Sequence, residues 1–179
     1  PRQTIMQGLL ARYPALRAVD VRAKDFHTIV IKIAEREPVA LWCDRQCYLM
    51  DENGLVYSQI TDSAAVQNYV EYFGSSSTTL PWQYLTAGQF SSLSALTNTI
   101  RQRIPGSSID GVTVDGYDDV RMHWSGTDFE LLFNLKDDGG DIFERLSLGL
   151  ASDVFKGKTF ADFNYLDLRF GDKLYYKLK

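Results

Sequence analysis

The chain is poor in the side chains that most chemistry depends on. It has two histidines and two cysteines in 179 residues, and its 19 Lys and Arg are balanced by 23 Asp and Glu, for a net charge of −4. It contains no run of about 18 apolar residues and no charged leader, which places any export signal or membrane anchor outside this sequence. The slight acidity removes any electrostatic reason to expect nucleic acid. No G-x-x-x-x-G-K or G-x-G-x-x-G is present to cradle a phosphate. His27 and His123 lie far apart and outside any recognisable motif, so neither marks the base that a Ser or Cys nucleophile needs. Asp118-Asp119 and Asp137-Asp138 adjoin turns, where carboxylates are ordinary solvated turn-formers, and "DDGGD" lacks the alternating ligands of a calcium loop. These absences predict no catalytic residue, no metal, no cofactor and no small-molecule substrate. The dispersed carboxylates of a glycosidase are the one enzymatic class the composition leaves open.

What is present is enough for a core. A hydrophobic content of 45% suits a folded globular protein, and the length accommodates one larger domain or a small module plus a medium one, domains of about 100 to 150 residues being commonest. Both cysteines fall in "LWCDRQCYLM". If the flanking runs are strands, Cys43 and Cys47 bracket a tight loop at paired positions, where Cα atoms about 4.5 to 5.5 Å apart permit a disulfide. Such a bridge closes so short a loop that it stabilises by only about 2 kcal/mol. The alternative is two free thiols, and an extracytoplasmic location favours the bridge. A lone C-x-x-x-C without a nearby His supplies only half of a zinc ligand set.

The hydrophobic periods order the elements. "TIMQGLLARYP" puts Ile5, Leu9 and Leu10 on one helical stripe and stops at Pro14. "RAVDVRAKDFHTIVIKIAERE" alternates through Val19, Val21, Ile29, Ile31 and Ile33, a hairpin with one apolar face. After Pro38 the chain turns strand-rich. "CYLMDENGLVY" is a hairpin in which Asn53-Gly54 supplies positive φ angles, "SAAVQNYVEYFG" reads as a strand from its Val, Tyr and Phe content, and "GSSSTTLP" as a loop. "TAGQFSSLSALTNTIRQRIPG" is the strongest helix, with Phe90, Leu93, Thr97, Ile100 and Ile104 recurring at helical steps, a Thr86–Gln89 capping box and a Pro105-Gly106 stop. Three strands follow in "SIDGVTVDG", "DDVRMHWSG" and "DFELLFNLK", then a short helix in "GDIFERLSLGLAS" with Phe143, Leu146 and Leu150 on one side.

The sequence ends on "NYLDLRFGDKLYYKLK". Alternation puts Leu166, Leu168 and Phe170 on one face and Tyr165, Asp167 and Arg169 on the other. A two-residue Gly171-Asp172 loop would set Phe170 against Lys173 and mix charge with core on each face. A three-residue loop ending at Lys173 instead pairs Phe170 with Leu174, Leu168 with Tyr176 and Leu166 with Leu178, placing Asp167 against Lys177 and giving one apolar face. This reading makes Leu166, Leu168 and Tyr176 core. It leaves Arg169, Tyr175, Lys177 and Lys179 on the outer face of a strand with no successor to cover its edge.

Three segments together resemble the extracytoplasmic part of the FtsQ/DivIB family of bacterial cell-division proteins: "ALRAVDVRAKDFHTIVIKIAEREPVALW", "YLMDENGLVY" and "YLDLRFGDKLYYK". The first is similar to the end of a POTRA module running into an E-R-x-P-V-A junction at Glu35, Arg36, Pro38, Val39 and Ala40. The second resembles the first hairpin of the family's β domain, with Asp51 and Gly54 at the turn, and the third the D-L-R strand and last strand that close it. A complete POTRA module has a leading strand and a further helix that this sequence lacks, and the paired cysteines depart from the family pattern.

The resemblance implies an α+β protein with a partial POTRA-like module over residues 1–37 and a mainly antiparallel β domain with two helices over 38–179. It implies a non-catalytic scaffold, held at the division site on the extracytoplasmic side of the bacterial cytoplasmic membrane by one N-terminal helix outside this chain. The expected partners are helical division proteins of the FtsB (or DivIC) and FtsL type, received along the last strand by β-augmentation. By position, Phe170 matches the aromatic after D-L-R, and Tyr175 and Tyr176 fall in the contacting strand. With Tyr165, Arg169, Leu174 and Lys177 they make up the expected partner-binding set, the basic groups meeting acidic partner residues. Edge lysines also serve simply to block aggregation. The rival readings are a cell-wall hydrolase and a POTRA-type chaperone module of a transport system.

Overall fold

The structure, a computed structural model, describes residues 2–61, 68–77 and 79–179. Among these the protein is α+β, with helices α1 (Arg2–Arg12), α2 (Ala87–Arg103) and α3 (Gly139–Leu150). The strands are β1 (Leu16–Ala23), β2 (Ile29–Glu35), β3 (Ala40–Cys43), β4 (Cys47–Met50), β5 (Leu55–Gln59), β6 (Glu71–Gly74), β7 (Trp82–Gln83), β8 (Ile109–Val114), β9 (Asp119–Trp124), β10 (Glu130–Asn134), β11 (Phe163–Phe170) and β12 (Lys173–Leu178). Of the stretch "SAAVQNYVEYFG", β6 is a strand as expected, and residues 63–67 lie outside the described residues, as does Thr78 of the loop before Pro81.

β1 and β2 form a separate antiparallel pair in which Val19 faces Ile33 and Val21 faces Ile31. The shared apolar face exists, but only half of it is covered. Met6, Leu9 and Leu10 of α1 pack on Leu16, Val19 and Val21, while Ile29, Ile31 and Ile33 are exposed.

The other ten strands make one sheet in the order β12-β11-β10-β9-β8-β6-β3-β4-β5-β7. Most neighbours are antiparallel; β3–β6, β6–β8 and β10–β11 are parallel. Two of these parallel pairs are joined through helices, β6 to β8 by α2 and β10 to β11 by α3. Both crossovers leave strands running the same way and step the same way along the sheet, so a common right hand sets both helices on one face. Their mutual contact fits this. The core lies between helices and sheet: Phe90, Leu93 and Ile100 of α2 and Ile142 and Leu146 of α3 meet Val112, Val120, Met122, Leu131, Phe133, Phe163 and Leu166. Thr86 and Gln89 form the expected capping box on α2. In α3 it is Ile142 and Leu146 that are fully buried, with Phe143 and Leu150 at the margin.

The β4–β5 hairpin differs from expectation in one detail. Only Gly54 takes a positive φ, of 75°, and the turn is held by Asp51, whose Oδ1 accepts from the N–H groups of Asn53 and Leu55 at 2.9 and 3.1 Å. The buried carboxylate thus does the turn-forming work that a second positive φ would do in a two-residue loop.

Candidate functional site

β12 is an edge. It pairs with β11 on one side, and among the described residues nothing pairs with its other side. The pairing corrects the expected register. Phe170 does face Lys173 across a two-residue Gly171-Asp172 turn, and an irregularity between Asp167 and Phe170 then shifts the ladder so that Asp167 faces Tyr175, Leu166 faces Tyr176 and Tyr165 faces Lys177. A single inserted residue reverses which face each side chain occupies. The shift therefore restores the apolar face that the two-residue turn alone would have destroyed, displaced by one pleat from the expected pairing. Gly171, with φ 61°, supplies the turn geometry.

The face towards the helices carries Leu166 and Leu168, both buried as expected. Leu174 belongs with them. Its side chain fills the space beside Gly149 of α3 that a Cβ there would need and packs on the core, so it is a docking residue of the hairpin before it is a partner contact. Tyr176 departs from its expected core role. It remains 43% exposed, with its ring 6.2 Å from that of Phe163, because it lies on the edge strand, which among the described residues is paired on one side alone.

On the opposite face Arg169 is fully engaged within the chain. Its Nε and Nη2 donate to Asp167 at 2.9 and 2.6 Å, and its Nη1 donates to Asp119 Oδ2 at 2.5 Å. Asn134 donates to the other Asp119 oxygen at 3.2 Å. Asp167 is thus paired with Arg169, two residues along its own strand, and not with Lys177. Burial pushes the Asp167 carboxyl upward, but the hydrogen bonds and charge of Arg169 outweigh this and hold it below the usual carboxylate range. The same bonds raise the Arg169 pKa further. Lys179, also expected to be free, pairs with Asp128 at 3.0 Å.

The side chains left facing outward are Phe170, Tyr175 and Lys177, with Tyr165 half-buried beside them. Phe170 and Tyr175 are 56% and 47% exposed and pack edge to face at 5.2 Å. The Arg169 guanidinium stands 5.8 Å from the Phe170 ring. This aromatic pair is held in place by groups that are not themselves exposed. Arg145 of α3 donates from Nη1 to the carbonyls of Leu168 and Gly171 at 2.8 and 2.5 Å, clamping the turn that joins the two strands. Arg145 was not legible as a site residue, since its helical spacing says nothing of a hairpin 26 residues later.

Chemically, the edge offers unpaired backbone donors and acceptors along one strand, two aromatic rings and a lysine. That combination can hold an extended peptide. Elsewhere on the helix-free face, a hollow of about 480 Å³ is lined by Glu71, Phe73, Asp110, Gly111, Thr113 and His123. His123 stands 3.3 Å from both Glu130 and Thr113; Glu130 lies directly across the β9–β10 ladder from it, so the contact is one of cross-strand neighbours. Cys43 and Cys47 face each other across β3–β4 and are joined as a disulfide, with Cα atoms 4.2 Å apart. No helix among the described residues is long and apolar enough to cross a membrane. The chain matches no family model and no curated protein.

Proposed function

We propose that this protein is a non-catalytic scaffold of the bacterial cell-division complex, on the extracytoplasmic side of the cytoplasmic membrane, that recruits a partner by strand addition to β12. The observation that carries the reading is the uncovered β12 edge of the ten-stranded sheet, flanked by the exposed Phe170–Tyr175 pair and Lys177. A row of unpaired N–H and C=O groups templates an extended segment, and side chains on its two faces select which segment. Tyr175 and Tyr176 present large apolar area with a polar tip at low entropic cost. The D-L-R strand and the E-R-x-P-V-A junction that resemble the FtsQ/DivIB family supply the partner class, division proteins of the FtsB, DivIC and FtsL type with one membrane helix and an extracytoplasmic tail.

The partner contact is narrower than the sequence set. Arg169 and Leu174 hold the edge in shape, while Phe170, Tyr175, Tyr176 and Lys177 meet the partner. Binding of the purified domain to the extracytoplasmic tails of an FtsB/DivIC-type and an FtsL-type protein tests this. Charge reversal by Lys177→Glu weakens binding by about tenfold or more without changing the unfolding midpoint, a factor of ten being about 1.4 kcal/mol. Wild-type binding by Lys177→Glu and by Tyr175→Ala together would remove β12 as the site.

A further inference from the structure

The disulfide end of the sheet holds a feature independent of β12. β6 runs parallel to β3 with Glu71 opposite Leu41, which places Glu71 diagonally beside Cys43, on the same face of the sheet. One carboxylate oxygen of Glu71 and the two sulfurs of Cys43 and Cys47 lie within 4.8 Å of one another. The sequence offered two sulfur donors and no third. The parallel pairing of β3 with β6 brings a third from 24 residues beyond Cys47.

We propose that Cys43, Cys47 and Glu71 form a redox-gated metal site, closed while the cysteines are bridged and able to take a thiophilic divalent cation such as zinc or cadmium once they are reduced. Two thiolates and one carboxylate make three ligands of a tetrahedral site, and a water completes it. Around such an ion two sulfurs stand roughly 3.8 Å apart. Directly paired strand positions reach that separation by side-chain rotation, with the β3–β4 ladder intact.

A dithiol reductant opens the site. Its thiolate attacks Sγ of Cys47, the less buried of the pair, breaking the S–S bond, releasing Cys43 as a free thiolate and leaving Cys47 in a mixed disulfide with the reductant. The second thiol of the reductant then displaces Cys47 and leaves as a cyclic disulfide. Two electrons and two protons pass from reductant to protein. The cation replaces those two protons on the sulfurs, so uptake releases acid and weakens as pH falls. Because the bridge closes only the Asp44-Arg45-Gln46 loop, its loss leaves the rest of the sheet in place.

The test is a cadmium titration of the whole chain reduced with a phosphine, followed by the ultraviolet thiolate-to-cadmium charge-transfer band. One ion per chain is expected in the reduced protein and none in the oxidised one. Glu71→Gln, a near-isosteric change at an exposed position, weakens binding by at least the roughly tenfold that even an outer-shell partner is worth. Cys43→Ser and Cys47→Ser each abolish the band. An absent band in the reduced wild type overturns the proposal. So does wild-type affinity in Glu71→Gln, or one ion shared between two chains.

Discussion

Nη1 of Arg36 lies 2.6 Å from Oδ2 of Asp51, and Asp51 is fully buried. Arg36 also donates its backbone N–H to Ala15 and its Nε to Pro14, at 2.8 and 3.0 Å, and its carbonyl accepts from the Tyr57 hydroxyl at 3.4 Å. One arginine therefore ties the α1–β1 turn, the end of β2 and the β4–β5 turn together. Removing it strands a carboxylate that has left water. Arg36→Ala is expected to cost about 3–5 kcal/mol in urea unfolding, as for one partner of a buried ion pair. The nearby exposed pair Arg17–Glu52, at 3.7 Å, gives less than about 1 kcal/mol in a double-mutant cycle.

Gly54 joins the same turn to α2. Its φ is 75°, and a Cβ there would stand 2.8 Å from Cβ and Cγ of Phe90, a fully buried residue in the first turn of the helix. Gly54→Ala meets both the left-handed backbone cost of about 1–2 kcal/mol and an overpacked contact. Its expected signature is a lowered urea midpoint with partner binding per folded molecule unchanged.

The two ends of the pH scale probe different groups. Asp167 has a folded pKa held below its unfolded value near 3.9, so its contribution is present above that value and is lost as pH falls through the folded pKa. Tyr57 is opposite: burial, then the Asp51 carboxylate, push its pKa up to about 12, so its contribution is full below about pH 10 and is lost as pH rises towards 12. Asp167→Asn is expected to flatten the acid limb of a stability–pH curve and Tyr57→Phe the alkaline limb. Each should leave the other limb unchanged.

Arg169→Ala leaves Asp167 and Asp119 without their shared cation, and a stability loss of about 1–3 kcal/mol is expected. Lys177→Glu changes partner binding and not stability. Denaturant unfolding of the two variants side by side separates the strut from the contact.

Much of the fold is legible in the sequence where the signal is local. The capping box at Thr86, the stop at Pro105-Gly106 and the hairpin alternation of β1–β2 follow from residues within one turn of each other. Two of the three residues assigned to the apolar face of β11 were legible for the same reason, Leu166 and Leu168 being buried, but Phe170, expected beside them, is 56% exposed and packs on Tyr175 on the opposite face. The register of β11 was not legible, because alternation cannot announce the inserted residue between Asp167 and Phe170. Long-range partners were hidden for a related cause. Asp51 read as a turn residue, and nothing within its own hairpin named Arg36; Glu71 read as part of a strand, and only parallel pairing with β3 brings it to the cysteines. Arg169 looked available on its strand because its partner Asp119 lies 50 residues away.

The central claim is that a partner lies alongside β12 as a further strand. Photocrosslinking from each position of β12 in turn, in the membrane-anchored protein in cells, tests it most directly, with the captured species identified by mass spectrometry. A strand added at the edge has side chains on both faces, so Tyr175 and Tyr176, which point to opposite faces, should both capture the same FtsB/DivIC-type protein. Capture from Tyr175 and Lys177 alone would mean docking on the open face of the sheet, and would contradict strand addition.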